Sequence, residues 1–240
     1  MQKISAQDSM KMSAAAEAVK LIQNNQTIGL GSGSTCKIFV NELGKLVRDG
    51  LDIVGVPTSK EIEKLAKENG IKILPVYKAN HIDIAIDGAD EIDPNLNLIK
   101  GLHGGALLRE KIVASKADTF VIIADESKLV ERLGDKGIIP VEISKGNYGK
   151  IFEALKKLGK AELRKADGKI FVTDNGNLIA DLRTKIRHPA ITEKQLKAIK
   201  GVVETGIFIS MADFAIIGTK KGILHMGGEN YHYSKAGVKL

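Results

Sequence analysis

The residues from 82 to 111 hold the side chains best suited to moving a proton. Asp87 and Asp90 follow directly after a short apolar run, which predicts a buried strand that ends in carboxylates. Lys100 then opens a glycine-bearing loop, and Glu110 lies on an apolar helix predicted after that loop. Because open α/β sheets bind ligands at the carboxyl ends of their strands, we expect these four side chains to line one cleft.

Glu110 is the candidate base of this group. Ala106, Glu110 and Ala114 are spaced four residues apart, so one helix face holds the carboxylate between two small apolar side chains. Desolvation there would raise the pKa of Glu110 towards the range useful for proton transfer, and Lys100 could stabilise an oxyanion formed by that transfer. Asp-Gly pairs also form simple turns, and glutamates on helices are usually solvated, so it is the clustering of these residues that favours catalysis.

A glycine loop, Gly-Ser-Gly-Ser-Thr at 31–35, lies between a predicted strand and a predicted helix. Backbone N–H groups and hydroxyls converge at such a helix start, where the helix dipole favours an anion. The loop lacks the P-loop lysine, and the dinucleotide-binding pattern fails because Ser34 stands where its third glycine belongs. A loop of this kind can also simply turn the chain. We favour a small phosphorylated ligand over a nucleotide, with contacts from Ser32, Gly33, Ser34 and Thr35.

The first part of the chain alternates strands and helices, which predicts a mostly parallel, Rossmann-like sheet with helices on both faces. The predicted strands are 27–30, 52–56, 71–76, 82–86 and 119–124, and the predicted helices before Lys100 are 8–22, 36–47 and 59–69. The third of these helices has a predicted capping box from Thr58 to Glu61 and ends at Gly70. Lys128 follows the last of these strands and can therefore reach the same cleft.

Residues 134–209 change to the order β-α-β-β-α-β, which predicts an inserted ferredoxin-like α+β domain. Its predicted strands are 138–143, 161–164, 169–173, 177–182 and 202–209, and its predicted helices are 148–158 and 192–199, the second capped by Thr192. It has no glycine-rich anion loop and no carboxylate–lysine cluster, so we expect a structural or assembly role. A predicted strand at 214–218 would rejoin the first sheet, which leaves 1–133 and 210–240 as the Rossmann-like domain. The tail from 225 to 240 shows no clear period.

The composition of the chain limits the classes of partner and ligand that we expect. The chain has 43% hydrophobic and 27% charged residues, and its net charge of +7 is scattered over predicted helix faces. With six Phe, four Tyr and no Trp for base stacking, we expect no nucleic-acid partner. No apolar run approaches the roughly 20 residues of a membrane span, so we expect no membrane partner. The single Cys36 fits a reducing cytoplasm, and the five histidines show no metal-ligand spacing, so we expect no metal.

Five blocks of the sequence resemble the type A ribose-5-phosphate isomerases, in the same order and over nearly the whole chain. They are GSGST at 31–35, DGADE at 87–91, KG at 100–101 with GGALLREK at 104–111, ADESK at 124–128 and VTDNGN at 172–177. The resemblance implies an enzyme without a cofactor that interconverts D-ribose 5-phosphate and D-ribulose 5-phosphate in the non-oxidative branch of the pentose phosphate pathway. It also implies a homodimer or a homotetramer.

The resemblance gives each candidate side chain a role. Glu110 would move the proton between C2 and C1 of the sugar through an enediolate, and Lys100 would stabilise the developing oxyanion. Asp87 and Asp90 would hold hydroxyls and assist ring opening, while residues 32–35 would contact the phosphate. The remaining implied substrate contacts are Gly88, Ala89, Gly101, Leu102, His103 and Lys128, with Lys11 as a further cation.

One departure from the family pattern lies between the lysine and the glutamate. The family has one residue fewer there, so the stretch Leu102-His103 looks like an insertion in the substrate loop. Lys100 and Glu110 keep their implied roles, but the individual contacts of 101–104 stay open.

Two other functions fit parts of the same pattern. A sugar-phosphate sensor of this sheet type would bind without turnover, but such sensors usually carry a DNA-binding domain, and the segment before the first predicted strand is too short for one. An enzyme acting on a CoA thioester through its glutamate would need a glutamyl nucleophile and a larger cleft. Fold alone does not separate these functions.

Overall fold

The computed structural model of the protein describes residues 4–146 and 148–227. The helices are α1 (Ala6–Val19), α2 (Ser34–Arg48), α3 (Lys60–Glu68), α4 (Leu107–Lys116), α5 (Tyr148–Lys156) and α6 (Pro189–Lys197). The strands are β1 (Gln26–Leu30), β2 (Ile53–Pro57), β3 (Lys72–Ile73), β4 (Ile82–Asp87), β5 (Glu91–Ile92), β6 (Leu98–Ile99), β7 (Ala117–Asp125), β8 (Ile139–Ile143), β9 (Lys160–Leu163), β10 (Lys165–Ala166), β11 (Lys169–Ile170), β12 (Leu178–Arg183), β13 (Val202–Thr205), β14 (Ile207–Phe208), β15 (Phe214–Thr219) and β16 (Gly222–Gly227).

The largest sheet has seven strands in the order β16-β15-β7-β4-β1-β2-β3. All neighbouring pairs are parallel except β15 with β16, and β15 pairs with β7 from Phe214 opposite Val121 to Gly218 opposite Asp125. The predicted parallel α/β sheet is therefore confirmed, and the chain does return to it after the inserted segment. β16 was not predicted, because its residues show no clear alternation. The rest of the tail, 228–240, lies outside the described residues.

Both faces of this sheet are covered, which explains why its central strand β4 has apolar residues on both faces. Ile84 and Ile86 pack into a core with residues of α1, α2 and α3, whereas Ala85 packs into the opposite core with residues of α4. Successive strand residues point to opposite faces, so a strand that is buried on both sides needs apolar residues at odd-numbered and at even-numbered positions. Among the described residues, none of the helices has the length and apolar character that a membrane span requires.

Two predicted helix caps were wrong. α3 is capped by Ser59, whose Oγ accepts a hydrogen bond from the Ile62 N–H at 3.3 Å, while the Thr58 hydroxyl donates instead to the Leu30 carbonyl at 3.1 Å. α6 begins at Pro189 and not at Thr192, because proline suits the first position of a helix, where its missing N–H is not needed.

The inserted segment forms a four-stranded antiparallel sheet in the order β13-β8-β12-β9, with α5 and α6 completing the β-α-β-β-α-β succession of a ferredoxin-like fold. All of its strands fall between 139 and 205, inside the predicted domain 134–209, whose limits stay a prediction. The predicted strand 169–173 is not a continuous strand of this sheet. Lys169–Ile170 forms a small hairpin with β10, and Val172 makes a single antiparallel bridge to Leu178 of β12.

The predicted strand 202–209 is broken at Gly206, where the chain passes from the inserted sheet to the first part of the chain. The Gly206 carbonyl accepts a hydrogen bond from the Lys100 N–H at 2.8 Å, and a Cβ added at this glycine would lie 2.3 Å from the Lys100 carbonyl oxygen. Beyond the break, β14 pairs with β6, which pairs with β5. This three-stranded sheet was not predicted, because each of its strands has only two residues.

Candidate active site

A cavity of about 510 Å³ opens where β1 and β4 end. Its walls come from five parts of the chain: the glycine loop with the start of α2, the start of α3, the segment after β4 with the start of α4, the segment after β7, and a turn of the inserted sheet. The lining residues are Ser32, Gly33, Ser34, Thr35, Lys37, Thr58, Ser59, Glu61, Gly88, Ala89, Asp90, Lys100, Gly101, His103, Gly104, Gly105, Ala106, Arg109, Glu110, Lys128, Phe171, Val172, Asp174 and Asn175.

The glycine loop lies directly against the end of β4. A Cβ added at Gly31 would lie 2.2 Å from Asp87 Oδ1, so only glycine allows this approach. The Ser32 N–H donates to the same Asp87 oxygen at 3.1 Å, and the Ser32 hydroxyl lies 2.7 Å from Thr58 Oγ1. The loop is therefore fixed to the two neighbouring strands.

The start of α2 is open to the cavity. Its N-cap is Gly33, with φ +98° and no side chain to cap the helix, and Ser34 and Thr35 occupy the first turn. The first N–H groups of a helix have no intrahelical partner, so an uncapped start at a cavity wall is suited to an anion.

Asp87, Lys100 and Glu110 form a buried charged cluster. Lys100 Nζ lies 3.0 Å from Asp87 Oδ2 and 3.5 Å from Glu110 Oε2, and it also donates to the Gly88 carbonyl. The Lys100 side chain is 3% exposed and the Glu110 side chain 6%. One ammonium group thus faces two carboxylates with almost no water to screen them.

This cluster changes the pKa of both reactive groups. Burial, together with the charges of Asp87 and Asp90, raises the pKa of Glu110 to about 8, because the nearby Lys100 ammonium opposes the shift only in part. Burial by itself would lower the pKa of Lys100, but the charges of Asp87 and Glu110 outweigh it and raise that pKa above its usual range. The lysine therefore stays an ammonium, while Glu110 can take up and release a proton near neutral pH.

Asp90 is a buried residue of the cavity lining that is held by backbone groups. Its Oδ2 accepts a hydrogen bond from the Leu102 N–H at 2.8 Å, and its own N–H donates to the Ile99 carbonyl at 2.8 Å. His103, which is largely exposed, lies with Nε2 4.0 Å from Asp90 Oδ1. The loop after Lys100 therefore supplies Asp90 with a fixed orientation.

The structure brings most of the predicted site residues to the cavity, with three exceptions. Asp87 lies behind Lys100 and does not line the cavity. Leu102 does not line it either and contributes its backbone N–H to Asp90. Lys11 does not line the cavity, and its Nζ lies 3.7 Å from Asp8 Oδ1.

The sequence interpretation missed the turn at 171–175, which belongs to the inserted segment. Phe171, Val172, Asp174 and Asn175 line the cavity, so this segment is not purely structural. The block VTDNGN was a usable signal, but its Asp-Asn-Gly run was interpreted only as a hairpin turn. Arg109, which was also missed, donates from Nε to Asn175 Oδ1 at 2.8 Å.

One group of possible metal ligands stands apart from the cavity. Within 4–146 and 148–227, the only cluster of three such side chains with ligand atoms within 4.8 Å of one another is His81, Asp83 and Asp118. It lies near the starts of β4 and β7, and none of its members lines the cavity. It therefore plays no part in the chemistry of this cavity.

The arrangement can carry out proton transfer next to a carbonyl group. A carboxyl with a raised pKa lies beside a permanent ammonium, which would stabilise negative charge that develops on a carbonyl oxygen. The open start of α2 in the same cavity adds a place for an anionic group of the same ligand.

Comparison with known proteins agrees with this chemistry. The sequence model of the family described as ribose 5-phosphate isomerase A (phosphoriboisomerase A) matches residues 54–222. The chain is 46% identical over 226 residues to ribose-5-phosphate isomerase A of Thermococcus kodakarensis, covering 91% of this chain and 98% of the relative.

Solved structures give the same result. The ribose 5-phosphate isomerase A of Methanocaldococcus jannaschii is 42% identical with a TM-score of 0.87, covering 92% of this chain and 99% of its own. A D-ribose-5-phosphate isomerase in complex with phospho-erythronic acid is 44% identical with a TM-score of 0.89, covering 93% of this chain and 100% of its own. With a buried carboxylate–ammonium cluster, an uncapped helix start at the cavity and this likeness over nine-tenths of its length, the chain belongs to the ribose 5-phosphate isomerase A family.

Proposed function

We propose that this protein interconverts D-ribose 5-phosphate and D-ribulose 5-phosphate, as a step of the non-oxidative branch of the pentose phosphate pathway. The observation that carries the proposal is the buried Glu110 carboxyl, whose pKa is raised to about 8, with Oε2 3.5 Å from the Lys100 ammonium. The isomerase family of the chain supports the same reaction. All relatives described above are named as isomerases, which leaves a sensor without support.

Glu110 moves the proton in this proposal. As a carboxylate it removes the C2 proton of the open-chain aldose, and the electron pair forms the C1–C2 double bond while the carbonyl oxygen becomes an enediolate oxygen. Lys100 stabilises that oxygen with its positive charge. The C2 hydroxyl then loses its proton to the oxygen on C1, C2 becomes the carbonyl carbon, and Glu110 returns its proton to C1.

The two aspartates have different tasks. Asp90 lines the cavity and is the carboxylate that we assign to substrate hydroxyls and to ring opening. Asp87 lies behind Lys100, with Oδ2 3.0 Å from Nζ, so we assign it to holding the ammonium in place. Its other oxygen accepts the Ser32 N–H, which joins the proton-transfer cluster to the glycine loop.

We assign the phosphate of the substrate to the start of α2. Residues 32–35 line this end of the cavity, and Lys128 adds a positive charge to the lining. The loop residues after β4 and Lys100 would contact the sugar between the phosphate and Glu110. This group consists of Gly88, Ala89, Gly101, Leu102 and His103, of which Leu102 acts through its backbone contact with Asp90.

We also propose that the enzyme needs no cofactor, works in the cytoplasm and forms a homodimer or a homotetramer. The buried ammonium supports the first point, since Lys100 can provide the charge that an enediolate needs. Ile170, Val172 and Ile191 are between 44% and 54% exposed, and contact with a second copy would cover such apolar side chains. Light scattering of the purified protein would measure its mass and test the assembly.

Isomerisation in deuterated water tests the reaction itself. The purified enzyme is incubated with ribose 5-phosphate without added metal, and the products are followed by proton NMR and mass spectrometry. Proton transfer through a side chain that exchanges with solvent should place deuterium at C1 of ribulose 5-phosphate and, on the return, at C2 of ribose 5-phosphate. A preparation that neither forms the ketose nor incorporates deuterium would refute the proposal.

A further inference from the structure

The turn at 171–175 continues to Asn177, and it is hydrogen-bonded to a buried carboxylate that the proposed reaction does not use. Glu142 on β8 is fully buried, and its Oε1 accepts hydrogen bonds from Thr173 Oγ1 at 3.0 Å and from Asn177 Nδ2 at 2.9 Å. Its Oε2 is also buried and has no hydrogen-bond partner among the described residues. Burying such a group costs stability, and a buried polar atom without a partner therefore points to a specific task. Both of these hydrogen bonds go to the turn whose Asp174 and Asn175 line the cavity.

The Thr173 hydroxyl is the centre of this turn. It donates to Glu142 and accepts from the N–H groups of Asn175 at 3.3 Å and Asn177 at 3.2 Å. The Thr173 N–H donates to the Asn177 carbonyl at 2.9 Å, and Gly176 has φ +82°, as a tight turn requires. Fixing one hydroxyl therefore fixes the direction of the whole turn.

The other side of the turn contacts both halves of the cavity. Asp174 Oδ2 accepts a hydrogen bond at 2.8 Å from the Lys60 N–H, the first residue of α3, whose N-cap Ser59 is bonded to Ser32. Asn175 Oδ1 accepts from Arg109 Nε at 2.8 Å. Arg109 precedes Glu110 on α4, so the turn bridges the glycine-loop side and the proton-transfer side.

We propose that Glu142 is a positioning residue for substrate binding. By holding Thr173, it keeps Asp174 and Asn175 in the part of the cavity wall that faces the substrate. The Lys100–Glu110 pair is built from other elements, so loss of this anchor should weaken substrate binding and leave the proton-transfer step largely intact. The proposal rests on the proposed function in that isomerisation is one of its two readouts.

Two variants remove the anchor and two serve as comparisons. Glu142→Ala removes the acceptor of both hydrogen bonds. Thr173→Val removes the hydroxyl, keeps the shape of the side chain and leaves Glu142 in place. Glu142→Gln keeps Oε1 as an acceptor and should rescue the function. Glu162→Ala is the matched control, because Glu162 lies on the same face of the sheet, opposite Asp181 on β12, but is exposed and outside the cavity.

Steady-state kinetics and calorimetric binding of phospho-erythronic acid give the two readouts, and urea unfolding reports the folded fraction. Glu142→Ala and Thr173→Val should raise KM and the Kd for phospho-erythronic acid by roughly three- to tenfold, the effect of one lost hydrogen bond, with kcat within about twofold. Glu142→Gln and Glu162→Ala should behave like the parent protein. The double variant should be no worse than Glu142→Ala, because both changes break the same contact.

Thr173→Val decides the matter if Glu142→Ala does not fold. A KM and a Kd that stay within about twofold in Thr173→Val would overturn the proposal, as would a loss of kcat at unchanged KM, which indicates only a smaller folded fraction. If the parent protein binds phospho-erythronic acid but does not isomerise ribose 5-phosphate, the proposed function fails while the Kd values still test the role of Glu142.

Discussion

Glu110 is a carboxylic acid whose neighbours act on its pKa in opposite directions. Burial, Asp87 and Asp90 favour its neutral form, whereas Lys100 favours the carboxylate. A base that works near neutral pH needs such a balance, because a fully exposed glutamate is too weak a base and a buried one without a cation would hold its proton. The position of Lys100 between Asp87 and Glu110 therefore sets the reactivity of the site.

Replacing Glu110 by Gln tests its role as the base. The amide keeps the size of the side chain but cannot take up a proton, so we expect kcat to fall by roughly 10² or more while KM changes only a few-fold. Steady-state kinetics with ribose 5-phosphate measure both constants. Glu68→Gln, at the exposed end of α3, is the control and should leave both unchanged. A Glu110→Gln enzyme with normal turnover would remove this residue from the reaction.

The pH dependence of kcat/KM follows from the same group. Glu110 must be a carboxylate to accept the C2 proton, and its pKa in the free enzyme is about 8. We therefore expect kcat/KM to fall by about tenfold for each pH unit below that pKa and to level off above it. A profile that is flat from neutral pH upwards would contradict the raised pKa.

The stability of the fold should also depend on the protonation of Glu110. Because the folded-state pKa of about 8 exceeds the ordinary value of 4.5, the folded protein binds a proton that the unfolded chain releases between these values. Its contribution to stability is present below the ordinary value and is lost as the pH rises through the folded pKa. The thermal midpoint of Glu110→Gln, relative to the parent protein, should therefore increase between pH of about 5 and about 9. A constant difference would contradict this linkage.

The glycine loop and β4 act together at the scale of secondary-structure elements. The loop runs from the end of β1 to the start of α2, and its backbone packs on Asp87 at the end of β4. A short apolar strand followed by a glycine loop and a helix is a local pattern, so the sequence alone predicted an anion site there. The closeness of Gly31 to Asp87 joins residues far apart in the chain and became visible only in the fold.

Gly31→Ala tests this close approach. The added Cβ would lie 2.2 Å from Asp87 Oδ1 and 2.5 Å from Asp87 Cα, so the loop or the strand end has to move. We expect kcat/KM to fall by roughly 10² and the free energy of unfolding to fall by about 2 kcal/mol. Kinetics and urea unfolding measure the two effects.

Gly149→Ala is the matched control for this prediction. Gly149 lies in α5, and an added Cβ would meet no atom within 4 Å. Alanine should leave activity unchanged there and raise stability slightly, since it favours the helix. Equal behaviour of the two variants would show that the contact between the loop and Asp87 does not matter.

At the scale of the whole molecule, a buried lysine joins α4 to the inserted segment. Lys111 Nζ lies 2.7 Å from Glu193 Oε1 and 3.0 Å from Glu204 Oε1, and it donates to the Ile207 carbonyl at 2.7 Å. The same ammonium lies 4.8 Å from the centre of the Phe208 ring. Lys111 follows Glu110 in the chain, so this network holds the helix that carries the base against the inserted sheet.

Lys111→Met should destabilise the fold. It removes the ammonium that Glu193 and Glu204 share, although Lys197 still lies 3.0 Å from Glu204, and breaking a buried pair typically costs about 3 kcal/mol. Urea unfolding would measure the loss, with Lys157→Met, an exposed lysine after α5, as the control. A loss below about 1 kcal/mol would place the network among weak surface pairs.

The sequence by itself determined the features that depend on neighbours along the chain. The alternation of strands and helices, the carboxylates after β4, the glycine loop before α2 and the return of the chain at β15 all follow from local periodicity and turn residues. The candidate residues Glu110 and Lys100 could be named for the same reason, and the family resemblance gave them their roles.

The tertiary structure alone decided which of these residues meet. In the fold, Asp87 lies behind Lys100, and Ser59 caps α3 in place of Thr58. The turn at 171–175 lines the cavity. Each of these outcomes depends on atoms that are close in space but distant in the chain. Such contacts are decided by the burial and hydrogen bonding of the whole fold, and local periodicity and turn residues do not determine them.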